Sequence, residues 1–449
     1  LVLTGPGGVG KTRLAIASAS AAAASFQSGA LFVALAPIRD PALVAATIAR
    51  AAGIRESGAQ PASVRLAEML ADRELLLVLD NFEHLLPASH VIHELLEACP
   101  TLTMLMTSRT RPRLTGERDI PVEPLPLPPQ QRPPPHSARI NSTDTPRDDA
   151  EPEQFTVDVG AIEQSPAIRL FVDRACAIDP SFRLTVKNAR AVAEICRRVD
   201  GLPLAIELAA ARTQVLPPAA LLARLDTRLP LLAGGPHDQP ERLQTMRQAI
   251  AWSFDLLRPG EQRLFRRLAV FEGGFTLKAA EAVSEATSGM STLDGVTALI
   301  DASLLRRMDD ATANARYAML ETIREFGLER LAVSNEEPAA YAAHAAYCLA
   351  LSEEGADGLQ HADRGVWLAR LEIEWPNLRP RVGPLRAPGR VDCRASHGGS
   401  ALAFLVSAWS PGRGSAPSRA RPDRDGDGGR TDIARPSAAR RWRSCLATG

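Results

Sequence analysis

The sequence predicts an α/β domain with a parallel sheet, followed by a series of helical units that include a winged helix. Three observations predict it. Residues 1–125 alternate short, unbroken apolar runs with helical patterns. A glycine-rich loop at residues 5–12 joins the first apolar run to the first helical one. From residue 165 onward the apolar period is helical, interrupted by one hairpin pattern before residue 320.

Leu1, Val2, Leu3 and Thr4 read as the first strand, and residues 13–24 as an Ala/Leu-rich helix. A strand at 30–36, helices at 41–52 and 63–71, and a fully buried strand LLLVL at 75–79 follow. Residues 85–98 are helical, 102–107 strand-like, and 120–122 a last strand. Strands that are apolar throughout, rather than at every second residue, are covered on both faces, which is the mark of a parallel sheet. Eight of the sixteen residues 121–136 are Pro, so a linker at 126–160 is expected to be extended. Helical patterns at 167–178, 188–199, 204–214 and 218–225 give a unit at 161–235. A second unit, 240–335, carries helices at 246–257, 259–270, 293–304 and 320–331 around the hairpin, the pattern of a winged helix. Residues 336–380 are helical again, clearest at 341–353 and 367–372.

Residues 381–449 contain 13 Arg against 5 acidic residues and no Glu, Lys, Gln, Asn, Tyr or Met. That composition reads either as a low-complexity disordered tail or as out-of-frame translation of a GC-rich gene. The chain starts on its first strand with Leu rather than Met, so it reads as a fragment or as a gene model missing its N-terminal part. The rest of the chain is mildly acidic, a poor match to a protein that coats a duplex. Six scattered cysteines without a C-x-x-C pair point to reduced thiols in a cytoplasmic protein. No apolar run of about 18 residues suggests a membrane span.

The chemistry concentrates at Gly5, Pro6, Gly7, Gly8, Val9, Gly10, Lys11 and Thr12. Gly-x-x-x-x-Gly-Lys-Thr between a strand and a helix is the phosphate-binding loop. Glycines let successive backbone N–H groups turn inward around phosphate oxygens, and the helix N-terminus adds its dipole. Lys11 is expected near the β- and γ-phosphates, the Thr12 hydroxyl on Mg²⁺, and Arg13 beside the bound ligand. Asp80, at the C-terminal end of the buried strand, is expected to complete the Mg²⁺ site. A second acid to polarise water is missing at Asn81, which leaves Glu83 as the nearest base and makes fast hydrolysis doubtful. Arg109, after the strand LTMLMTS, is placed to reach a γ-phosphate with its planar fork; Arg111 and Arg113 lie close enough to exchange roles with it.

Pro203, in Gly201-Leu202-Pro203-Leu204, is explained either as a helix start or as a ring packed on a purine. His90 and His93 share a helix with Glu94 but lack a third convergent ligand, so they read as a solvated face. The helix at 293–305 offers Asp294, Thr297, Asp301 and Ser303, poor equipment for base edges.

The combination GPGGVGKTRLA, LLLVLDNFEHLL, LMTSR, SPAIRLFVDRA, GLPLAIELAAAR, TMRQAIAWSFDLL, LAVFEGGFTLKAAEAV and YAMLETIREFGLERL resembles the bacterial STAND (NB-ARC-like) signal-transduction ATPases of the actinobacterial transcriptional-regulator type. The resemblance covers roughly residues 1–380. It implies a P-loop nucleotide-binding domain at 1–125, a helical lid at 161–235, a winged helix at 240–335 and the start of tetratricopeptide-like repeats at 336–380.

It further implies an ATP/ADP switch in which ADP holds the lid and winged helix closed. An unknown inducer or protein partner on the repeats then permits exchange, opening and, in some members, oligomerisation. Roles carry over onto residues 5–12 for phosphates, Thr12 and Asp80 for Mg²⁺, Arg109 for γ-phosphate sensing and Pro203 for the base. Met319-Leu320-Glu321 stands where plant and animal relatives have Met-His-Asp, so one contact to the ADP phosphate is missing. DNA would be reached only through an effector domain not visible in this sequence. The expected function is a nucleotide-sensing switch with slow or no hydrolysis, against an active P-loop ATPase or a DNA-binding winged helix.

Overall fold

The computed structural model describes residues 1–54, 60–128, 159–225, 228–233, 244–284, 290–308, 315–361 and 364–378. Most of the proline-rich linker and all of the Arg-rich tail at 381–449 lie outside the described residues.

The first unit is a five-stranded, all-parallel sheet. Its strands are β1 (Val2–Thr4), β2 (Ala30–Ala34), β3 (Leu76–Asp80), β4 (Thr103–Thr107) and β5 (Asp119–Pro121), in the order β2-β3-β4-β1-β5. Four helices cover it: α1 (Lys11–Ala22), α2 (Val44–Ala51), α3 (Ala62–Leu70) and α4 (Ser89–Ala98). Every residue of β3 is buried, and the pleat explains why. Leu77 and Leu79 pack into the core beneath α2, α3 and α4, while Leu76 and Val78 face Ala15 and Ala19 of α1 on the other side. The helix expected from residue 85 begins only at Ser89. Two short 3-10 turns, Phe82–His84 and Leu86–Ala88, intervene, the second carrying Pro87.

The second unit contains α5 (Val159–Glu163), α6 (Pro166–Ile178), α7 (Val186–Arg198), α8 (Pro203–Ala211), α9 (Pro218–Arg224) and α10 (Arg228–Leu231). The third begins with α11 (Met246–Asp255) and α12 (Pro259–Leu268). It continues through β6 (Phe275–Thr276), α13 (Leu277–Val283) and α14 (Thr292–Asp301). A hairpin of β7 (Arg306–Met308) and β8 (Arg316–Ala318) leads to α15 (Glu321–Val333). The strands form an antiparallel sheet ordered β6-β8-β7. The five helices α11 to α15 and this sheet make the winged-helix unit.

These two units share one contiguous apolar core, from Phe171 and Ile206 in the second unit to Phe254, Phe265 and Phe326 in the winged helix. Val9 of the glycine-rich loop reaches into it. At the seam, Asp200 takes a left-handed conformation (φ 58°) and its carboxylate accepts from the Thr322 N–H at 2.9 Å and hydroxyl at 3.1 Å. That satisfies donors at the start of α15, which would otherwise be left over.

Two further helices, α16 (Glu337–Gly358) and α17 (Arg364–Leu378), pack on the winged helix. The contact is polar and closed. Arg316 of β8 donates to Glu374, both nearly inaccessible, and Asn377 donates to the Gly274 carbonyl at 2.9 Å and to Glu374 at 2.8 Å. The Glu272 N–H donates back to Asn377 at 2.7 Å, and the Pro376 ring lies against Gly273. No helix among the described residues is long and apolar enough to cross a membrane.

Candidate functional site

The loop at residues 5–12 leaves the C-terminal end of β1 and enters α1, with β3 and β4 on the same edge of the sheet. In open parallel sheets this edge is where ligands bind. Gly8 adopts φ +81°, and a Cβ there would stand 2.8 Å from that of Leu204. The Leu204 N–H donates to the Gly8 carbonyl at 3.1 Å, so the start of α8 sits directly on the loop. Pro203 occupies the first turn of α8 with its Cγ 4.0 Å from a Cβ built on Gly10. It thus starts the helix and borders the loop at once, and both sequence readings of it remain compatible with its place.

Lys11 is buried and its ammonium donates to the loop's own Gly5 and Pro6 carbonyls at 2.7 and 3.0 Å. Burial, and then the charge of Arg109, bring its pKa down to about 7, against the opposing pull of Glu83 and Asp80. A cation held this way, in a loop where four of the eight residues are glycine, fits an incoming phosphate. The Thr12 hydroxyl donates to Asp80 Oδ1 at 2.7 Å. One hydroxyl and one carboxylate are the protein donors that a Mg²⁺ carried by a nucleotide needs, the remainder coming from phosphate and water. Among the described residues no group of three or more His, Cys, Asp or Glu side chains is placed to hold a metal on its own.

Asn81 takes the left-handed region (φ 65°), which Asn tolerates far better than most residues. Its N–H donates to the Thr107 hydroxyl at 3.0 Å, and Thr107 donates to Asp80 Oδ1 at 2.6 Å. The Asn81 amide donates to Glu83 at 3.3 Å.

Glu83 and Arg109 form a buried ion pair, Nε to Oε1 at 3.2 Å. Burial pushes the Glu83 carboxyl up, but the charges of Arg109 and Lys11 outweigh it and hold the group below its ordinary value. A carboxylate so stabilised is a weak proton acceptor, so Glu83 is poorly set for water activation. Arg109 does more than pair. Its guanidinium donates to the Ala249 carbonyl and, at 3.1 Å, to the Ser253 hydroxyl, both on α11. It also crowds Gly7, where a Cβ would lie 2.8 Å from its Nη1 and 2.9 Å from the Ala249 oxygen.

The winged helix is therefore seated on the loop. The Ser303 hydroxyl donates to the Arg109 carbonyl at 2.7 Å, Arg113 pairs with Asp301, and the His84 and Trp252 rings meet edge to face at 5.6 Å. Arg111 pairs with Asp119 at 2.5 Å. Neither Arg111 nor Arg113 takes Arg109's place. Arg13, expected beside the ligand, is exposed and pairs with Glu207 of α8 at 3.1 Å. His90 contacts the Pro87 carbonyl and His93 pairs with Glu97, apart from the loop. Leu320 lies in the shared apolar core and Glu321 pairs with Arg324.

Thr107, Ala249, Ser253 and Leu204 were not read from the sequence as site residues. Thr107 carried a signal, a polar residue ending a buried strand on the ligand edge. Ala249 carried none, because it acts through its backbone.

One domain family and several known proteins are similar to this chain. A winged helix-turn-helix domain family matches residues 257–332. Candidate HTH-type transcriptional regulators of Mycobacterium bovis and Mycobacterium tuberculosis are 40% identical over 87% of this chain. The chain spans 40% of the length of those relatives. The regulatory protein AfsR of Streptomyces coelicolor is 28% identical over 72% of the chain and 28% of its own length. Among solved structures, a Pyrococcus horikoshii STAND protein with a tetratricopeptide repeat sensor aligns over 84% of this chain and 49% of its own, at 14% identity and a TM-score of 0.26. The Aeropyrum pernix ORC2 protein aligns over 74% and 88%, at 12% identity and a TM-score of 0.36. A further Mycobacterium bovis protein, described as uncharacterized, is 36% identical over 76% of this chain and 79% of its own length. On that match the chain belongs to the same family as this Mycobacterium bovis protein, with a winged helix-turn-helix domain at residues 257–332.

Proposed function

We propose that this chain is the nucleotide-sensing switch of a transcriptional regulator, binding ATP or ADP with Mg²⁺ at residues 5–12. One observation carries the reading: Arg109, the residue best placed to meet a γ-phosphate, is the same residue that holds α11 of the winged helix against the loop. Lys11 would bind the phosphates, and Thr12 with Asp80 would hold Mg²⁺, which supplies charge neutralisation of the phosphate oxygens. Pro203 borders the place for the base.

A γ-phosphate competes with the Ala249 carbonyl and Ser253 for the same guanidinium. Its negative charge also opposes that carbonyl oxygen, which stands close above Gly7. ADP, lacking the γ-phosphate, leaves the Arg109 link to α11 intact. ATP weakens it, so the two nucleotides bias a closed and an open arrangement in opposite directions. The lid and winged helix share an apolar core, so they move as one body against the sheet.

Slow hydrolysis fits the same geometry, since Asn81 is no base and Glu83 is held charged by Arg109. Direct reading of DNA by α14 is disfavoured because its C-terminal end is committed to the nucleotide-binding unit through Asp301 and Ser303. Calorimetric titration of ATP and ADP into the parent and the Lys11→Ala variant tests the proposal. The parent is expected to bind both and the variant neither well; equal ATP affinity in both proteins would sink it.

A further inference from the structure

We infer that Thr107 is the positioning residue of the metal-binding pair, holding the Asp80 carboxylate in place for a nucleotide-borne divalent cation. The inference rests on the nucleotide reading above.

The β3–β4 ladder runs from Leu76↔Thr103 to Leu79↔Met106. Asp80 is paired with Ala34 on the β2 side, but the β3–β4 pairs end one residue before it. Just past that point the chain turns into the left-handed Asn81. On the β4 side nothing of the ladder fixes the tip of β3, and the Thr107 hydroxyl takes over. It has one proton and two lone pairs. The proton goes to Asp80 Oδ1 at 2.6 Å, and a lone pair accepts the Asn81 N–H at 3.0 Å. Thr107 is 1% exposed, so water does not compete for either bond.

The same Oδ1 takes the Thr12 hydroxyl at 2.7 Å. When Thr12 offers its oxygen to a cation, its proton stays directed at Asp80, so that carboxylate oxygen is held from two sides, by Thr12 of the loop and by Thr107 of the neighbouring strand. Partners of this kind, bonded to a ligand rather than to the metal, typically change metal affinity about 10- to 100-fold when removed. A strand-end threonine kept only for packing would be replaceable by valine, which has nearly its shape.

The test is a titration of the full chain with a fluorescent ADP analogue, in Mg²⁺ and in excess EDTA. In EDTA, Thr107→Val should bind within about twofold of the parent, since the loop and Lys11 are intact. In Mg²⁺ the parent should tighten, and Thr107→Val should lose about tenfold of that gain. Thr107→Ser should recover it. Full Mg²⁺ tightening in Thr107→Val would overturn the assignment. So would a parent that binds the analogue with no response to Mg²⁺, while leaving the nucleotide reading standing. A parent that binds no nucleotide would take both down. If melting curves show that the valine variant does not fold, Thr107→Ala gives the same comparison with a smaller side chain.

Discussion

Arg109 and Glu83 are joined 3.2 Å apart in a buried ion pair, and the arginine uses its Nη1 on a different structural unit. A guanidinium has five N–H donors in a fixed plane, so it can serve a carboxylate and a helix backbone together. Breaking the pair from one side leaves an uncompensated buried charge. Arg109→Ala should therefore cost about 3–5 kcal/mol, whereas replacing both residues with apolar ones should recover most of the loss. Denaturant unfolding of both single variants and an Arg109→Met, Glu83→Leu double variant measures this. Additive losses would show that the two residues are not coupled.

Lys11 should contribute charge-assisted bonds to phosphate. Removing it as Lys11→Ala should weaken ATP and ADP binding roughly 10- to 100-fold, corresponding to about 1.5–3 kcal/mol for a hydrogen bond to a charged group. Calorimetry reads this directly.

The lowered pKa of Lys11 adds a pH dependence. At about 7, the group is half deprotonated near neutrality in the free protein. Phosphate beside it raises that value, so binding takes up a proton when the pH is above 7 and takes up none from this group well below it. Affinity should fall as pH rises past 7, and enthalpies at pH 8 should differ between buffers of unlike ionisation heat. The same shift affects folding. The folded state binds fewer protons at this site than the unfolded chain between pH 7 and 10.5, so this group's contribution to stability grows across that window. Buffer-independent enthalpies at pH 8 would contradict the assignment.

Ser253 bonds Arg109 only while α11 is seated. Ser253→Ala removes one bond from the seated arrangement and none from Lys11, Thr12 or Asp80. ATP affinity relative to ADP should rise about fivefold, the equivalent of about 1 kcal/mol. Competition titrations of the two nucleotides check this, and an unchanged ratio would show that the seat and the γ-phosphate do not compete.

Much of the fold was legible because the sheet is buried on both sides and the lid and winged helix follow a helical period. LLLVL could only be a covered strand, and the spacing of residues 5–12 placed that loop between a strand and a helix, where the structure has it. Boundaries were less legible. Asn81 looked like a missing acid, yet its type also answers a left-handed turn that no periodicity shows. Glu83 looked like a spare base because its partner lies 26 positions away in the chain. The seating of α11 on the loop was invisible for a related reason. Its main acceptor is the Ala249 carbonyl, and every residue has one.

The closed contact of α17 with the wing has a mechanical consequence. Arg316 and Glu374, Asn377 and Gly274, and the Pro376 ring against Gly273 form a keyed joint rather than a tether. Turning α17 against the wing would break these buried bonds, so α17 is expected to keep its angle to the winged helix, and with it to the unit that carries Ser253.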